Sequence, residues 1–164
     1  MQEKYNLMVS SALALGVIYA LLGAIELATG LWNLVFPENA VSIPGVPVDL
    51  FGGFAALVTG ATYLGGISAL KGKHEALGYI LVGGILSGIL GILYLLIVGA
   101  DGLSALLATW EGGEWTWEWL TSGSAGPGLL RPEILLLPVS FLLTYIVLRA
   151  INKEAKMRKS LQGN

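Results

Sequence analysis

The sequence predicts an all-α integral membrane protein with four transmembrane helices, arranged as two hairpins with both termini on the cytoplasmic side. The composition is 55% hydrophobic and 12% charged, whereas soluble domains carry about 25% charged residues. Four long apolar runs each approach the roughly 20 residues needed to cross a bilayer. Eight of the nine lysines and arginines lie on one side of these runs, a bias that sets the orientation of membrane proteins.

The predicted spans cover residues 7–36, 50–70, 76–100 and 131–151 of a single membrane domain, residues 1–164. The first run is longer than the about 7–15 apolar residues of a cleavable signal, so we expect it to be retained as a span. Because no water reaches the bilayer core, each span must satisfy its own backbone hydrogen bonds as a helix.

Charge distribution predicts which side each connection faces. The predicted inner side holds eight basic residues and three glutamates: Lys4, Lys71, Lys73, Arg149, Lys153, Lys156, Arg158 and Lys159, with Glu3, Glu75 and Glu154. On the outer side, Arg131 stands alone among seven acidic residues: Glu38, Asp49, Asp101, Glu111, Glu114, Glu118 and Glu133. We therefore expect the termini, the turn 71–75 and the basic tail 152–164 to be cytoplasmic, with the protein in the plasma membrane.

The two outer connections differ in character. Three prolines in residues 37–49 predict an extended loop. Residues 101–120 have helical spacing of apolar residues up to Gly112, which predicts a short interfacial helix followed by an aromatic patch. All five tryptophans are predicted interface anchors, since this side chain prefers the headgroup level: Trp32, Trp110, Trp115, Trp117 and Trp119. An aromatic platform for a ligand or a partner is the alternative.

Glu26 is the one acidic residue in the interior of a predicted span, away from its ends. A carboxylate is costly in hydrocarbon, so this side chain should face protein or water, or be protonated. On a helical wheel it shares one arc with Tyr19, Gly23, Gly30 and Asn33. We expect the arc to face another helix and Glu26 to bind a proton or small ligand, with Tyr19 and Asn33 beside it; a purely structural acid is the alternative.

Hydroxyl groups extend the predicted ligand- or proton-binding set. Thr59, Thr62 and Tyr63 share a face of the second span, and Ser140 lies in the fourth. Such hydroxyls more often bond to a backbone carbonyl of their own helix. The Gly84-x-x-x-Gly88 motif predicts close helix packing, either within the bundle or between protomers.

Several kinds of chemistry find no support in the sequence. With no cysteine and a single histidine, His74, the chain offers neither thiolate nor multi-histidine metal ligands. No nucleophile elbow, phosphate loop or metalloprotease helix is present, so we predict no enzyme, cofactor, metal or nucleic-acid partner. Asp49 and Glu133 follow prolines at predicted helix starts and are interpreted as helix caps without a functional role.

Three functions remain compatible with these features. The first is an oligomeric transporter or channel for a small solute or ion that uses Glu26, oligomeric because four helices enclose little space. The second is an accessory or assembly subunit of a larger membrane complex. The third, a lipid- or quinone-binding membrane enzyme, lacks recognisable catalytic residues. The expected partners are the bilayer and either further copies of the chain or other membrane subunits.

Single cysteines test the predicted topology. In intact cells an impermeant thiol reagent should label Gly113→Cys, in the outer segment, and should not label Gly72→Cys or Ser160→Cys. Both unlabelled variants should react once the membrane is permeabilised. Labelling of Gly72→Cys from outside would reject the arrangement.

Overall fold

The computed structural model describes residues 2–71 and 76–162, and the side chains of residues 5–70 and 76–153. Over these residues the chain is helical, without β-strands. Its four long helices are α1 (Gln2–Val35), α2 (Leu50–Gly65), α3 (Leu77–Trp110) and α4 (Pro132–Gln162). Most of the predicted inner turn and the side chains of most of the basic tail lie outside the described residues.

All four helices are long and apolar enough to cross a bilayer. The segments that qualify are Tyr5–Val35, Leu50–Leu70, Leu77–Trp110 and Pro132–Lys153. The second includes the 3₁₀ turn Gly66–Lys71 that follows α2. This confirms the predicted all-α membrane class with four helices, while the cytoplasmic position of the termini stays a prediction.

The helices form two antiparallel hairpins, α1–α2 and α3–α4. α1 packs mainly on α2, and α3 packs mainly on α4. Between the hairpins, the contact of α2 with α3 is larger than that of α1 with α4. The connections 36–49 and 111–131 therefore lie at one end of the bundle, which we call the loop end. The opposite end, where α2 connects to α3, is the turn end.

Glycines bring α1 and α2 into backbone contact. A methyl group added at Gly23 would lie 2.5 Å from the backbone nitrogen of Leu57 and 2.6 Å from the carbonyl oxygen of Gly53. One added at Gly53 would lie 2.5 Å from the backbone nitrogen of Leu27. Small residues permit such close approach of membrane helices. The glycine-containing arc of α1 therefore faces α2.

The second hairpin also packs through glycines of α3. Gly84 lies against the side chain of Thr144, and Gly88 lies near the ring of Phe141. Gly91 leaves room for the carbonyl of Glu133, which would be 2.9 Å from an added methyl group. The start of α4 can consequently lie close to the backbone of α3.

The helical part of the segment 101–120 continues α3, whereas we expected a separate interfacial helix. α3 runs unbroken to Trp110 because no proline or left-handed residue interrupts it. It ends where Gly112 adopts a φ of +94°, a conformation that glycine tolerates best. The chain then folds back along α3, so that the ring of Trp119 covers Gly102.

The two loops at the loop end are held by hydrogen bonds to the helices. Asp101 of α3 accepts bonds from the backbone and hydroxyl of Ser124, at 2.8 and 2.7 Å. The indole of Trp32 donates to the carbonyl of Asn39 at 3.0 Å. Gly126 of the second loop lies beside Pro47 of the first, so the loops together cover this end of the bundle.

The tryptophans differ in exposure. Trp110 and Trp117 are 77% and 64% exposed, Trp32 is 48% exposed and Trp115 is 37% exposed. Trp119 is half-buried and stacks with Trp117, their ring centroids 6.3 Å apart. Exposed indoles at one end of a membrane bundle are typical of an interfacial belt.

Glycine contacts predict a sharp difference between two substitutions. Gly23→Ala should destabilise the protein by roughly 1–3 kcal/mol, because its methyl group meets backbone atoms that cannot move independently. Gly78→Ala is the control, since nothing lies within 4 Å of a methyl group at that position. Thermal unfolding in detergent should show a lower Tm for Gly23→Ala only; equal Tm values would contradict a backbone-to-backbone α1–α2 contact.

Candidate functional site

Arg131 lies at the centre of a buried polar cluster at the loop end. Arg131 is only 2% exposed. The guanidinium donates from Nε to Glu133 at 3.0 Å and from Nη2 to Asp49 at 2.9 Å. Its Nη1 donates to the carbonyl of Ala125 at 3.0 Å, and Glu26 Oε2 lies 3.8 Å from Nη2. A buried charge requires such partners, because removing it from water costs free energy that only close pairing and hydrogen bonding offset.

Every helix contributes to this cluster. Glu26 comes from α1, Asp49 immediately precedes α2, Tyr94 lies on α3, and Glu133 belongs to the first turn of α4. The carbon of the Arg131 guanidinium lies 3.4 Å from the centre of the Tyr94 ring, a cation–π contact. The cluster therefore joins the two hairpins.

Asp49 has two roles at the start of α2. Its Oδ1 accepts the backbone N–H of Gly52 at 2.7 Å, the bond of an N-cap. Its Oδ2 accepts the Tyr94 hydroxyl at 2.7 Å as well as the Arg131 guanidinium. Gly52 is required here, because a methyl group would collide with the Tyr94 hydroxyl. The predicted capping role thus agrees with the structure, and ion pairing is added to it.

Asp49 and Arg131 lie just before α2 and α4. Burial and polar contacts shift the pKa of each group in opposite directions. Burial alone would raise the pKa of Asp49, but the bonds from Gly52, Tyr94 and Arg131 together lower it below the usual value. Burial would lower the pKa of Arg131, but the negative charge of Glu133 and its other neighbours raise it. Asp49 and Arg131 are therefore both charged at neutral pH and form an ion pair.

Three carboxyl groups surround one guanidinium in this cluster. Glu26 and Glu133 are both fully buried, and their carboxyl groups are close enough to interact. Both oxygens of Glu26 and Oε1 of Glu133 have no hydrogen-bond partner among the described residues. No group of histidines, cysteines and acids in the described chain has an arrangement that could hold a metal ion. The cluster is thus rich in unpaired acceptors.

Buried hydroxyl groups continue from the cluster into the bundle. Tyr19 lies near Ser140, Ser87 and Glu133, and its ring stacks on that of Tyr63 with centroids 6.2 Å apart. The hydroxyls of Tyr63 and Ser87 are 3.1 Å apart. Those of Tyr19 and Ser140 are buried and have no partner within the described part of the chain.

The structure places five of the predicted binding residues in the bundle interior and leaves two elsewhere. Glu26, Tyr19, Tyr63 and Ser140 line the interior described above, and Thr59 is buried as well. Thr59 and Thr62 donate to carbonyls of their own helix, at 2.9 and 2.7 Å, and Thr62 lines an open apolar groove between α2 and α3.

Asn33 is not a neighbour of Glu26, contrary to our expectation. Its amide instead exchanges two hydrogen bonds with the backbone of Val41, at 2.9 and 2.7 Å. Asn33 is seven residues beyond Glu26, which places it about 10 Å further along α1. At that level the first loop supplies the nearer backbone groups.

Sequence reasoning alone does not identify the centre of the site. The sequence predicts an outer charge at Arg131 and a helix cap at Glu133, and no pattern singles out Tyr94. The sequence does carry one signal. Arg131 is the lone basic residue on the predicted outer side, which is otherwise acidic, and it stands two residues before Glu133 at the start of an apolar run. A single cation among many acids is a candidate for a shared ion-pair centre.

Comparison with known proteins gives a family and one relative. The family described as "MJ0565 integral membrane domain" matches residues 2–150. The protein "Uncharacterized protein MJ0565" of Methanocaldococcus jannaschii is 28% identical over 111 residues, which cover 67% of this chain and 74% of the relative. No solved structure is significantly similar to the chain.

Asp49→Asn should expose the contribution of the Asp49–Arg131 pair. Because folding lowers the pKa of Asp49, the stabilisation should be complete above the unfolded value of about 3.9 and be lost as pH falls through the folded value. At pH 7 the variant should lose about 1–3 kcal/mol, the range for a hydrogen bond to a charged group and a group left unpaired. Tm values measured from pH 7 downward should converge below about pH 4.

Asp101→Asn is the matched control, because Asp101 lies at the same end and, within the described part of the chain, bonds to the exposed Ser124. It should melt close to wild type at every pH. A Tm difference between wild type and Asp49→Asn that stays constant down to pH 2 would contradict the role of the Asp49 charge.

Proposed function

The chain belongs to the MJ0565 integral membrane domain family, and we propose that it transports a small solute or ion with Glu26 and its buried partners as the ion-binding centre. The supporting observation is the surplus of acid around Arg131: three carboxyl groups, two of them fully buried, face one guanidinium. Ionisable groups inside membrane bundles are costly to keep and mark ion pathways.

The position of the cluster supports a mechanical role in transport. Glu26 and Asp49 belong to the first hairpin, whereas Tyr94, Arg131 and Glu133 belong to the second. A change of charge at Glu26 alters the attraction between hairpins, because its carboxyl group faces Arg131 at 3.8 Å. Ion binding would thereby change how the hairpins sit against each other, which is the movement that alternating access requires.

Homo-oligomerisation belongs to the same proposal. Four helices packed through glycine contacts enclose the polar groups within one chain. Each copy would then carry its own site, with neighbouring copies supporting the moving hairpins. We place the protein in the plasma membrane with both termini cytoplasmic, following the charge bias of the sequence.

An accessory subunit of a membrane complex is the second candidate, and α4 favours it. Only 17% of the most apolar part of this helix is buried, against 39–44% for the other three. A helix so exposed on an apolar bundle offers a face to another membrane subunit. In this role the Arg131 cluster would be structural, and the protein would copurify with a stoichiometric partner from its native membrane. We propose no enzymatic activity.

Glu26→Gln separates charge from shape in the transport proposal. The purified full chain would be reconstituted in vesicles, and H⁺, Na⁺ and K⁺ fluxes followed under imposed gradients across a pH series. The variant should migrate like wild type on size exclusion, yet its pH-dependent flux should fall by ~100-fold or more, the low end of what one general acid or base contributes to a reaction.

Glu114→Gln removes an acid of the same length from an exposed loop position and should leave flux unchanged. If Glu26→Gln equals wild type at every pH while Glu26→Leu misassembles, Glu26 is structural. That result would favour the accessory-subunit function.

A further inference from the structure

We propose that Glu26 and Glu133 form a paired carboxyl site that binds one proton between α1 and α4. The inference rests on the proposed transport function and deepens it: the ion is H⁺, and its binding group is the pair. Glu133 is assigned a functional role here that the sequence does not suggest.

Hydrogen-bond accounting carries the assignment. The two carboxyl groups approach the same guanidinium, Glu133 Oε2 at 3.0 Å from Nε and Glu26 Oε2 at 3.8 Å from Nη2. Ionised carboxylates are acceptors only, so two of them cannot bond to each other. A proton on either carboxyl group converts it into a donor and creates an O–H···O bond to its neighbour. One proton thus satisfies an otherwise unpaired oxygen on each residue.

Charge counting supports one bound proton. With every group ionised, three acids around Arg131 would leave a surplus of two negative charges in a site whose two glutamates are fully buried. Asp49 pairs with Arg131 at 2.9 Å and accepts a hydrogen bond from the hydroxyl of Tyr94. It therefore stays ionised. The surplus therefore rests on Glu26 and Glu133, where like charges in contact strongly disfavour double ionisation.

A proton fits this site better than a metal cation. The guanidinium already occupies the space between the acids, and its carbon lies over the Tyr94 ring at 3.4 Å. A second cation would be repelled at short range and would need several oxygen ligands in a shell around it. A proton requires only the two facing oxygens.

Hydroxyl groups near the pair are consistent with proton exchange. On the turn-end side Tyr19 of α1 lies near Glu133, and the hydroxyls of Tyr63 from α2, Ser87 from α3 and Ser140 from α4 surround Tyr19. Tyr94 of α3 contacts both Arg131 and Asp49. Arg131 and Asp49 close the loop-end side, where Asp49 is 27% exposed. Hydroxyls both donate and accept hydrogen bonds. The hydroxyls of Tyr19 and Ser140, which have no assigned hydrogen bond among the described residues, are the next acceptors for a proton leaving the pair towards the turn end.

Infrared difference spectroscopy tests the pair without requiring transport. The full-length protein would be reconstituted in phosphatidylcholine vesicles, and the carbonyl band of buried protonated carboxyl groups, identified by its shift in D₂O, followed against pH. Wild type should show one such titration. Glu26→Gln and Glu133→Gln should each abolish it or move its midpoint by at least one pH unit, and Glu114→Gln should leave it unchanged.

Three results would overturn the assignment: no buried carbonyl band in wild type, both single variants keeping the wild-type midpoint, or sensitivity to Glu26→Gln alone. If Glu133→Gln fails to fold, Glu133→Asp keeps the acid and should retain the band with a shifted frequency. An unshifted band in Glu133→Asp would exclude Glu133 from the site. A titrating band without vesicle flux rejects transport and keeps the pair, whereas flux without the band rejects the pair and keeps transport.

Discussion

The guanidinium of Arg131 is the contact on which the arrangement of the four helices depends. It is almost completely buried and has partners from both hairpins and from the second loop. A charge in this position must be matched within hydrogen-bonding distance, since the surrounding bundle cannot solvate it. That requirement fixes the level of Glu26 on α1 against the first turn of α4. The helices are consequently held in register by an ionic centre as well as by apolar packing.

The glycine contacts of α1 and α2 make this centre possible. Gly53 lies so close to α1 that an added methyl group would be 2.8 Å from the Cβ of Glu26. This approach brings Glu26 and the start of α2 to the same end of the bundle, within reach of one arginine. Gly91 has the equivalent effect for α3 and α4, because it admits the backbone of Glu133. Small residues therefore position charged ones, and the packing and the polar site form one system.

Local patterns in the sequence are sufficient for the four spans and, within the Arg131 cluster, for the burial of Glu26. Four apolar runs and the 3.6-residue period of α1 predict the spans and the face of Glu26. They do not predict the ion pairs of the cluster, since Asp49 and Arg131, for example, are 82 residues apart and meet only through tertiary folding. Charges at the ends of spans look solvated in a sequence, whereas here the folded loops cover them. Asn33 fails as a partner of Glu26 for a related reason, because the first loop offers its amide a nearer backbone.

The turn Gly123–Gly126 gives the second loop a mechanical connection to the interior. Its two ends exchange backbone bonds at 3.0 and 2.9 Å, and Ala125 at its tip bonds to Arg131. A displacement of this turn would therefore move the carbonyl group that binds Arg131. An antibody fragment or spectroscopic label attached there would perturb the buried cluster around Arg131, even though it touches only the surface. For the same reason this loop is a poor place for an epitope tag meant to leave the protein unperturbed.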